Sequence, residues 1–501
     1  MKKLLLFLLA ALFFFPLTVN AVEFNVNDLR PVIGGADIIG VDKNIILDAS
    51  ATFLPVPDQP ATYEWNLGNG TTIYGEEVVT SYSQPGNYIV TLTVTQGAEK
   101  ASISKEIFAY NKLILLLTDV SERAENIQNL KDDAAQEGTL VFVIDSYDST
   151  TAFMSEEALY NKLNDNLSVL TNANGVAVWT SRGSGINALT RLVQQGVEKG
   201  DTKIGDALNT KSIIVITEEN IGTLSRIMQG NFNIIEPKQM IITRQYELRN
   251  YIAAESDEIF LMDLEKSVSD YKVVNKETGR ISILNSISYL VSFMVSKGIP
   301  SNTVVLLLML PIIATIIAVL KQVVGITTFG LYTPSIITLS FLALGLKFGL
   351  AILFIIIITG ALVRRILDRF HLLHIPRIAI VLTMSTLIIL LTLALGTYLG
   401  VSSIATIAVF PMLIMTTLAE KFVSALGGKG FFAALLLMLE TAFVSLVCYW
   451  VVEWNYLQNL ILGHPEIILL LIFFNYALGR WSGLRLIEYI RFREVMKHAE
   501  E

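Results

Sequence analysis

The stretch Val304-Val305-Leu306-Leu307-Leu308-Met309-Leu310-Pro311-Ile312-Ile313-Ala314-Thr315-Ile316-Ile317-Ala318-Val319-Leu320 decides the class of this protein. It carries no charge, and a helix of about 20 mainly apolar residues crosses the hydrocarbon core of a bilayer. Further runs of this kind follow, predicting spans near 303–323, 330–346, 348–368, 378–398, 402–419, 431–452 and 464–480. The second run is short and has Tyr332, Thr333 and Pro334 near its start, which suits a broken or re-entrant segment.

Outward from this bundle the composition changes. The chain has 501 residues and a mean hydropathy of +0.55, high for a soluble protein. The apolar excess lies after residue 300, whereas residues 22–300 read as soluble sequence with a net charge of roughly −14. An acidic exterior argues against nucleic acid, because phosphates demand a basic surface. Cys448 is the only cysteine and falls in a span, so a disulfide within the chain and a four-cysteine zinc site are excluded. The histidines are His371, His374, His464 and His498, all after residue 300, so the soluble part has no Ser-His-Asp triad.

The N-terminus reads as an export signal. Lys2 and Lys3 precede an apolar run from Leu4 to Phe15, Pro16 breaks it, and Val19-Asn20-Ala21 offers a cleavage site before Val22. Whether cleaved or kept as an anchor, this segment places residues 22–300 outside the cytoplasm, in the periplasm of a Gram-negative cell. Seven spans then place the C-terminus inside. The loops expected inside hold Lys321, then Arg364, Arg365, Arg369 and Arg377, then Lys421 and Lys429, then Arg480, Arg485, Arg491, Arg493 and Lys497. Those expected outside, between spans, hold only Lys347. An eighth span at 281–295 would invert the pattern, so residues 276–300 are read as an amphipathic helix leading into the first span.

Residues 22–108 alternate apolar and polar side chains between turns. Tyr88-Ile89-Val90-Thr91-Leu92-Thr93-Val94 is a half-buried strand, and Gly68-Asn69-Gly70 and Pro85-Gly86-Asn87 are turns. Short strands at this spacing predict a β-sandwich. The runs Leu47-Asp48-Ala49-Ser50, Trp65-Asn66-Leu67-Gly68-Asn69-Gly70-Thr71 and Tyr82-Ser83-Gln84-Pro85-Gly86-Asn87-Tyr88 resemble a PKD domain. Asn66 and Asn69 stand in its usual W-D-F-G-D-G core, and asparagine tolerates left-handed turn geometry. The resemblance implies a spacer or a module that binds protein or glycan.

From residue 111 the chain alternates strands and helices. Strands are expected at 113–117, 139–144, 175–179, 212–216, 239–242 and 258–261, and helices at 121–137, 156–170 and 186–197. This Rossmann-like alternation predicts an α/β domain over residues 111–275, with a mainly parallel sheet. Asp145-Ser146-Tyr147-Asp148-Ser149 follows a strand and is reminiscent of the D-x-S-x-S metal motif of von Willebrand A-type domains. Tyr147 replaces its first serine, so the loop is read as polar and not as a metal site. Ser181-Arg182-Gly183-Ser184-Gly185 precedes a helix and lacks the P-loop lysine, so it is read as a turn and helix cap. No catalytic group, cofactor or metal is expected.

Inside the bundle, Glu440 is the outlier, a carboxylate amid apolar residues. It reads either as a proton or cation relay or as a neutral acid bonded to a neighbouring helix. Asn475 reads as packing glue between helices. Thr327-Thr328-Phe329-Gly330 with Tyr332-Thr333-Pro334, Ile375-Pro376-Arg377, Pro465-Glu466-Ile467 and Asn475, together with Gly479-Arg480-Trp481-Ser482-Gly483, Arg485-Leu486, Glu488 and Arg491-Phe492-Arg493, resemble a bacterial family. That family has seven transmembrane helices usually fused to an inactive transglutaminase-like domain, and the match covers about residues 300–495. Here a PKD-like and an α/β domain stand where the transglutaminase-like domain would be. The resemblance also suggests an association with ATP-grasp peptide or amino-acid ligases.

The organisation expected is a signal peptide over 1–21, a sandwich over 22–108, an α/β domain over 111–275 and an amphipathic helix over 276–300. A seven-helix transmembrane domain over 301–480 and a basic cytoplasmic tail over 481–501 complete it. The function expected is that of a non-enzymatic inner-membrane protein. Its periplasmic domains bind a protein or glycan, and its helices scaffold or signal to a cytoplasmic partner. Tyr332, Pro334, Glu440 and Asn475 are the candidate functional residues in the bundle. Arg480, Arg485, Glu488, Arg491 and Arg493 are the candidates for cytoplasmic or lipid contact. The competing expectation is a transporter or export component using Glu440, supported by Pro311, Pro334 and Pro411 within spans.

Overall fold

A computed structural model of the chain describes residues 28–56, 59–119, 124–149, 151–267, 269–275, 301–367, 430–481 and 485–491, with isolated positions elsewhere. The signal peptide, most of the amphipathic segment, and the spans expected at 378–398 and 402–419 lie outside the described residues, apart from isolated positions. Two compact units divide the chain, with the sequence boundary at Asn111–Lys112.

The first unit is a sandwich. Strands β1 (Ile38–Gly40), β3 (Ala61–Asn66), β4 (Thr72–Tyr74), β6 (Gly86–Gln96) and β7 (Glu99–Tyr110) form one sheet in the order β1-β7-β6-β3-β4. Strands β2 (Ile45–Asp48) and β5 (Glu77–Thr80) pair antiparallel as the second. Alternation puts Val90, Leu92 and Val94 inward, where they pack with Leu47, Trp65, Leu67 and Ile107. Each such side chain contributes about 1.5–3 kcal/mol by leaving water. Trp65 Nε1 donates to Gly75 O at 2.8 Å, and buried Tyr82 donates to Leu67 O at 3.1 Å. The two asparagines serve the turn differently from the expectation. The left-handed positions are Gly68 and Gly70. Asn66 and Asn69 act through their side-chain carbonyls, each accepting from the backbone N–H two residues on at 3.0 Å. An aspartate oxygen makes the same bond, which is why asparagine substitutes at these positions.

The second unit begins with a six-stranded sheet. Its strands are β8 (Lys112–Thr118), β9 (Thr139–Asp145), β10 (Gly175–Trp179), β11 (Ser212–Ile216), β12 (Gln239–Thr243) and β13 (Lys272–Val274). The order is β13-β12-β11-β10-β8-β9, parallel except for β13. Fully buried β10 and β11 show no alternation, as expected when helices cover both faces. The strand expected at 258–261 is a helix instead, α8 (Asp257–Lys266). Ser256 caps it by accepting from Ile259 N at 3.3 Å, and Asp257 and Glu258 occupy its first turn, a helix-start signal that outweighs the short apolar run. The helix expected at 156–170 is two helices, α2 (Ala152–Asp165) and α3 (Leu167–Asn172), broken at Asn166. Other helices between strands are α1 (Ala124–Gln136), α4 (Ser184–Glu198), α5 (Lys203–Asn209), α6 (Ile221–Ile235) and α7 (Glu247–Ala253).

The same unit contains the apolar helices. Helix α9 (Ser301–Val319) ends in a π-helical turn, Leu320–Val324. Helices α10 (Tyr332–Leu344) and α11 (Leu346–Leu367) form a hairpin hinged at Gly345. There Gly349 lets Phe341 approach, since a Cβ would lie 2.4 Å from its ring. Helices α12 (Phe431–Glu453), α13 (Asn455–Gly463), α14 (Ile467–Gly479) and α15 (Leu486–Arg491) follow. Among the described helices, Thr303–Val324 and Phe431–Glu453 are long and apolar enough to span a bilayer. At 13 residues, α10 is about 20 Å long, short of the roughly 30 Å required.

Candidate functional site

In an open α/β sheet, ligands bind beyond the carboxyl ends of the strands where the strand order reverses. Here that point lies between β8 and β10, and a polar cluster fills it. Asp119 follows β8, Ser146 follows β9, Ser155 lies in the first turns of α2, and Ser181 and Ser184 follow β10. The Asp119 carboxylate accepts from Ser181 N at 2.9 Å, Ser181 Oγ at 2.6 Å and Ser184 Oγ at 2.8 Å, and from Ser155 Oγ at 3.4 Å. Ser146 and Ser155 hydroxyls lie 2.7 Å apart, and Ser155 and Ser184 hydroxyls 3.2 Å apart. Asp119 is 9 % exposed, and no Lys or Arg pairs with it among the described residues.

Only part of this cluster is signalled by sequence. Ser146 and Ser184 belong to the two loops singled out above, and the structure brings those loops together. Asp145 does not join them; its carboxylate pairs with Lys162 at 2.9 Å. Asp119 and Ser155 were missed. The available signal was Thr118-Asp119 ending a buried apolar strand, where a charge has no structural reason to stand. Among the described residues, no three His, Cys, Asp or Glu side chains converge on a common point.

In the bundle, α10 runs parallel to α12. Ser445 Oγ donates to Pro334 O at 3.1 Å, Thr338 Oγ1 donates to Ser445 O at 3.2 Å, and Phe341 meets Tyr449 edge-on at 6.3 Å. The connection before α10 therefore lies level with the middle of α12: Phe329 N donates to Thr441 Oγ1 at 3.2 Å, and Thr327 Oγ1 donates to Glu440. Glu440 thus faces the reversal that follows the first span. Asn475 Nδ2 donates to Thr315 Oγ1 on α9 at 2.7 Å and to Leu471 O at 2.9 Å. Pro334 is buried, and Tyr332 is 80 % exposed.

The cationic residues gather near the other end of α14. Arg480 stacks on Tyr476 at 5.1 Å. Arg485 lies against Gly325, its backbone N–H donates to Glu488 at 3.3 Å, and its guanidinium is 4.0 Å from the same carboxylate. Arg491 ends α15, and Arg493 and Pro411 lie outside the described residues.

The α/β domain is seated on the bundle. Thr151 caps α2 by accepting from Met154 N at 3.3 Å, and its hydroxyl donates to Ala343 O, at the end of α10, at 3.1 Å. Helix α6 packs on α13. Both contacts lie at the ends of α10 and α12 opposite to Arg485 and the α9–α10 connection.

Residues 258–496 match the model of a family described as seven transmembrane helices usually fused to an inactive transglutaminase, and residues 29–108 match that of a PKD domain. Among curated proteins, no sequence matches the chain. Among solved structures, a carbohydrate-binding module of the β-sandwich superfamily is 21 % identical over 17 % of this chain and 35 % of that one, with a TM-score of 0.16. The family's usual fusion partner is an inactive enzyme, in agreement with a non-enzymatic reading. The match to this seven-helix, inactive-transglutaminase-associated family covers just under half of the chain and, with the two long apolar helices, supports a multi-pass inner-membrane protein in which a PKD-like domain precedes the helices.

Proposed function

We propose that the PKD and α/β domains face the periplasm, bind a protein or glycan there, and pass the bound state through the helices to a cytoplasmic partner. The observation that carries this reading is the bond from Thr151 to Ala343, which ties the ligand-facing edge of the sheet to the outer end of α10. Helix α2 supplies both that bond and Ser155 of the switch-point cluster, so a shift of α2 acts on α10 directly. At its other end α10 continues into the connection held by Glu440 and Thr441. Coupling two sites requires a two-state element that both sites bias, and α10, touched at both ends, is the candidate for that element.

The orientation has two independent supports. The Lys and Arg distribution places 345–347 and 453–463 outside, and these flank the places where the α/β domain touches the bundle. The exposed Trp450, Trp454 and Tyr456 there suit an interfacial aromatic belt. The basic group around Arg480 and Arg485 is left for anionic headgroups or a cytoplasmic protein. For that protein we propose an ATP-grasp ligase, on the family resemblance alone. Glu440 is assigned to holding the connection, with transport as the competing role. A reporter active only in the periplasm tests the topology: activity is expected when it is fused near Lys276 and none after Glu501. The reverse pattern would remove the reading.

A further inference from the structure

We propose that Asp119, Ser155 and Ser184 form a site for one hard divalent cation, of the magnesium or calcium class. The argument starts from the spacing of three oxygens. Asp119 Oδ2, Ser155 Oγ and Ser184 Oγ form a triangle with sides of 2.8, 3.2 and 3.4 Å. Neighbouring ligands of an octahedral ion stand about 2.9 Å apart for magnesium and about 3.4 Å apart for calcium, given their usual bond lengths. The triangle, whose sides are hydrogen bonds in the described structure, has the dimensions of one face of such a coordination shell, and water would complete the rest.

The hydroxyl protons have somewhere else to go. For a serine oxygen to ligate, its proton must turn away from the ion. Ser184 can turn its proton to Ser181 O at 3.2 Å, and Ser155 to Ser146 Oγ at 2.7 Å. The carboxylate is held in place by Ser181 through its backbone N–H and hydroxyl. Those four groups are the outer support that orients metal ligands.

Two observations beyond this hydrogen bonding point to a ligand. The cluster sits at the strand-order reversal, the place where open α/β sheets bind. It also buries a carboxylate that has no Lys or Arg partner among the described residues and is held by four hydrogen bonds, so its negative charge is not neutralised by the protein. Thr118 Oγ1, fully buried at the same strand end, has no partner among the described residues either. The donor set contains only oxygen, which selects against zinc and copper. With a single carboxylate, the affinity belongs in the range of extracellular calcium modules, about 10⁻⁴–10⁻³ M. The site does not depend on how the α/β domain acts on the bundle.

The test uses the full chain in lipid nanodiscs, stripped with chelator and titrated with manganese, with bound ion counted by electron paramagnetic resonance. Competition with magnesium and calcium follows. Saturable binding of one manganese ion is expected, weakened at least tenfold in Asp119→Asn and in the double variant Ser155→Ala/Ser184→Ala. Asp145→Ala, in the neighbouring loop, should bind as the unaltered protein does. The double variant keeps the carboxylate and serves if Asp119→Asn does not fold. Absence of saturable binding by the folded protein overturns the site. So does unchanged binding in the double variant, or loss of binding in Asp145→Ala alone.

Discussion

Serine and threonine hydroxyls are buried in both the α/β domain and the helical bundle, and they are satisfied in opposite ways. In the bundle most return to their own helix: Thr315 donates to Pro311 O, Ser335 to Leu331 O, Ser340 to Ile336 O, Thr359 to Ile355 O and Thr441 to Leu437 O, all within 2.9 Å, whereas Thr338 and Ser445 also reach across to the facing helix. Such back-bonding needs no partner and marks no site. In the α/β domain, three hydroxyls from two separate segments converge on one carboxylate supplied by a third. Convergence from distant parts of a chain is maintained only if the fold holds it, and it concentrates polar groups around one charge. The difference separates hydroxyls that fill a bundle from hydroxyls that build a site.

The comparison can be broken first where packing alone is at stake. A Cβ on Gly175 would lie 1.9 Å from the Tyr251 hydroxyl, which is buried and has no partner among the described residues. Gly175→Ala should destabilise the α/β domain by about 1–3 kcal/mol or more. Tyr251→Phe alone should be neutral or stabilising, because it removes an unsatisfied buried group. It should also recover most of the loss when combined with Gly175→Ala. Thermal melts of the three variants decide this, and a Tyr251→Phe as damaging as Gly175→Ala would show that the hydroxyl is not idle.

A buried charge gives the next largest effect. Lys211 Nζ donates to Leu170 O at 2.5 Å and Thr171 O at 2.7 Å, closing the end of α3, and burial pushes its pKa down to about 8. Its unfolded value is near 10.5. Between those values the unfolded chain holds a proton that the folded chain has released, so this group's contribution to stability rises with pH through that window. The increment should be present in the unaltered protein and missing in Lys211→Met, as read by melting midpoints taken at pH 8 and pH 10.

The smallest effect belongs to the bundle. Asn475→Leu loses the bond to Thr315, which such membrane pairs put at about 0.6 kcal/mol on average and about 1.7 at most. A double-mutant cycle with Thr315→Val measures it. A coupling well above that ceiling would move Asn475 from packing to a functional role.

What was legible in the sequence follows physical range. Strands β10 and β11 were read to the residue, because uninterrupted apolar runs bounded by Asn174 and Lys211 leave little choice. The PKD turn was legible because glycine and asparagine chemistry is local. The edge strand was misplaced, since Ser256 capping and a three-residue strand at 272–274 compete over short distances. Two of the five switch-point residues escaped because Asp119 and Ser155 become neighbours only when β8, β10 and α2 assemble. Helix α13 was not expected at all. It is too short to read as a span, yet it carries the packing against α6.

The seating of the α/β domain on the outer end of the bundle is the claim on which the coupling rests. Paired cysteines at Thr151 and Ala343, in a Cys448→Ala background, test it in intact membranes with mild oxidant or a short thiol crosslinker. The account predicts an efficient bond within one chain, formed without reagent access to the cytoplasm and absent when Thr151→Cys is paired with a cysteine at Arg480. No bond at Ala343, or an equal bond at Arg480, would contradict it.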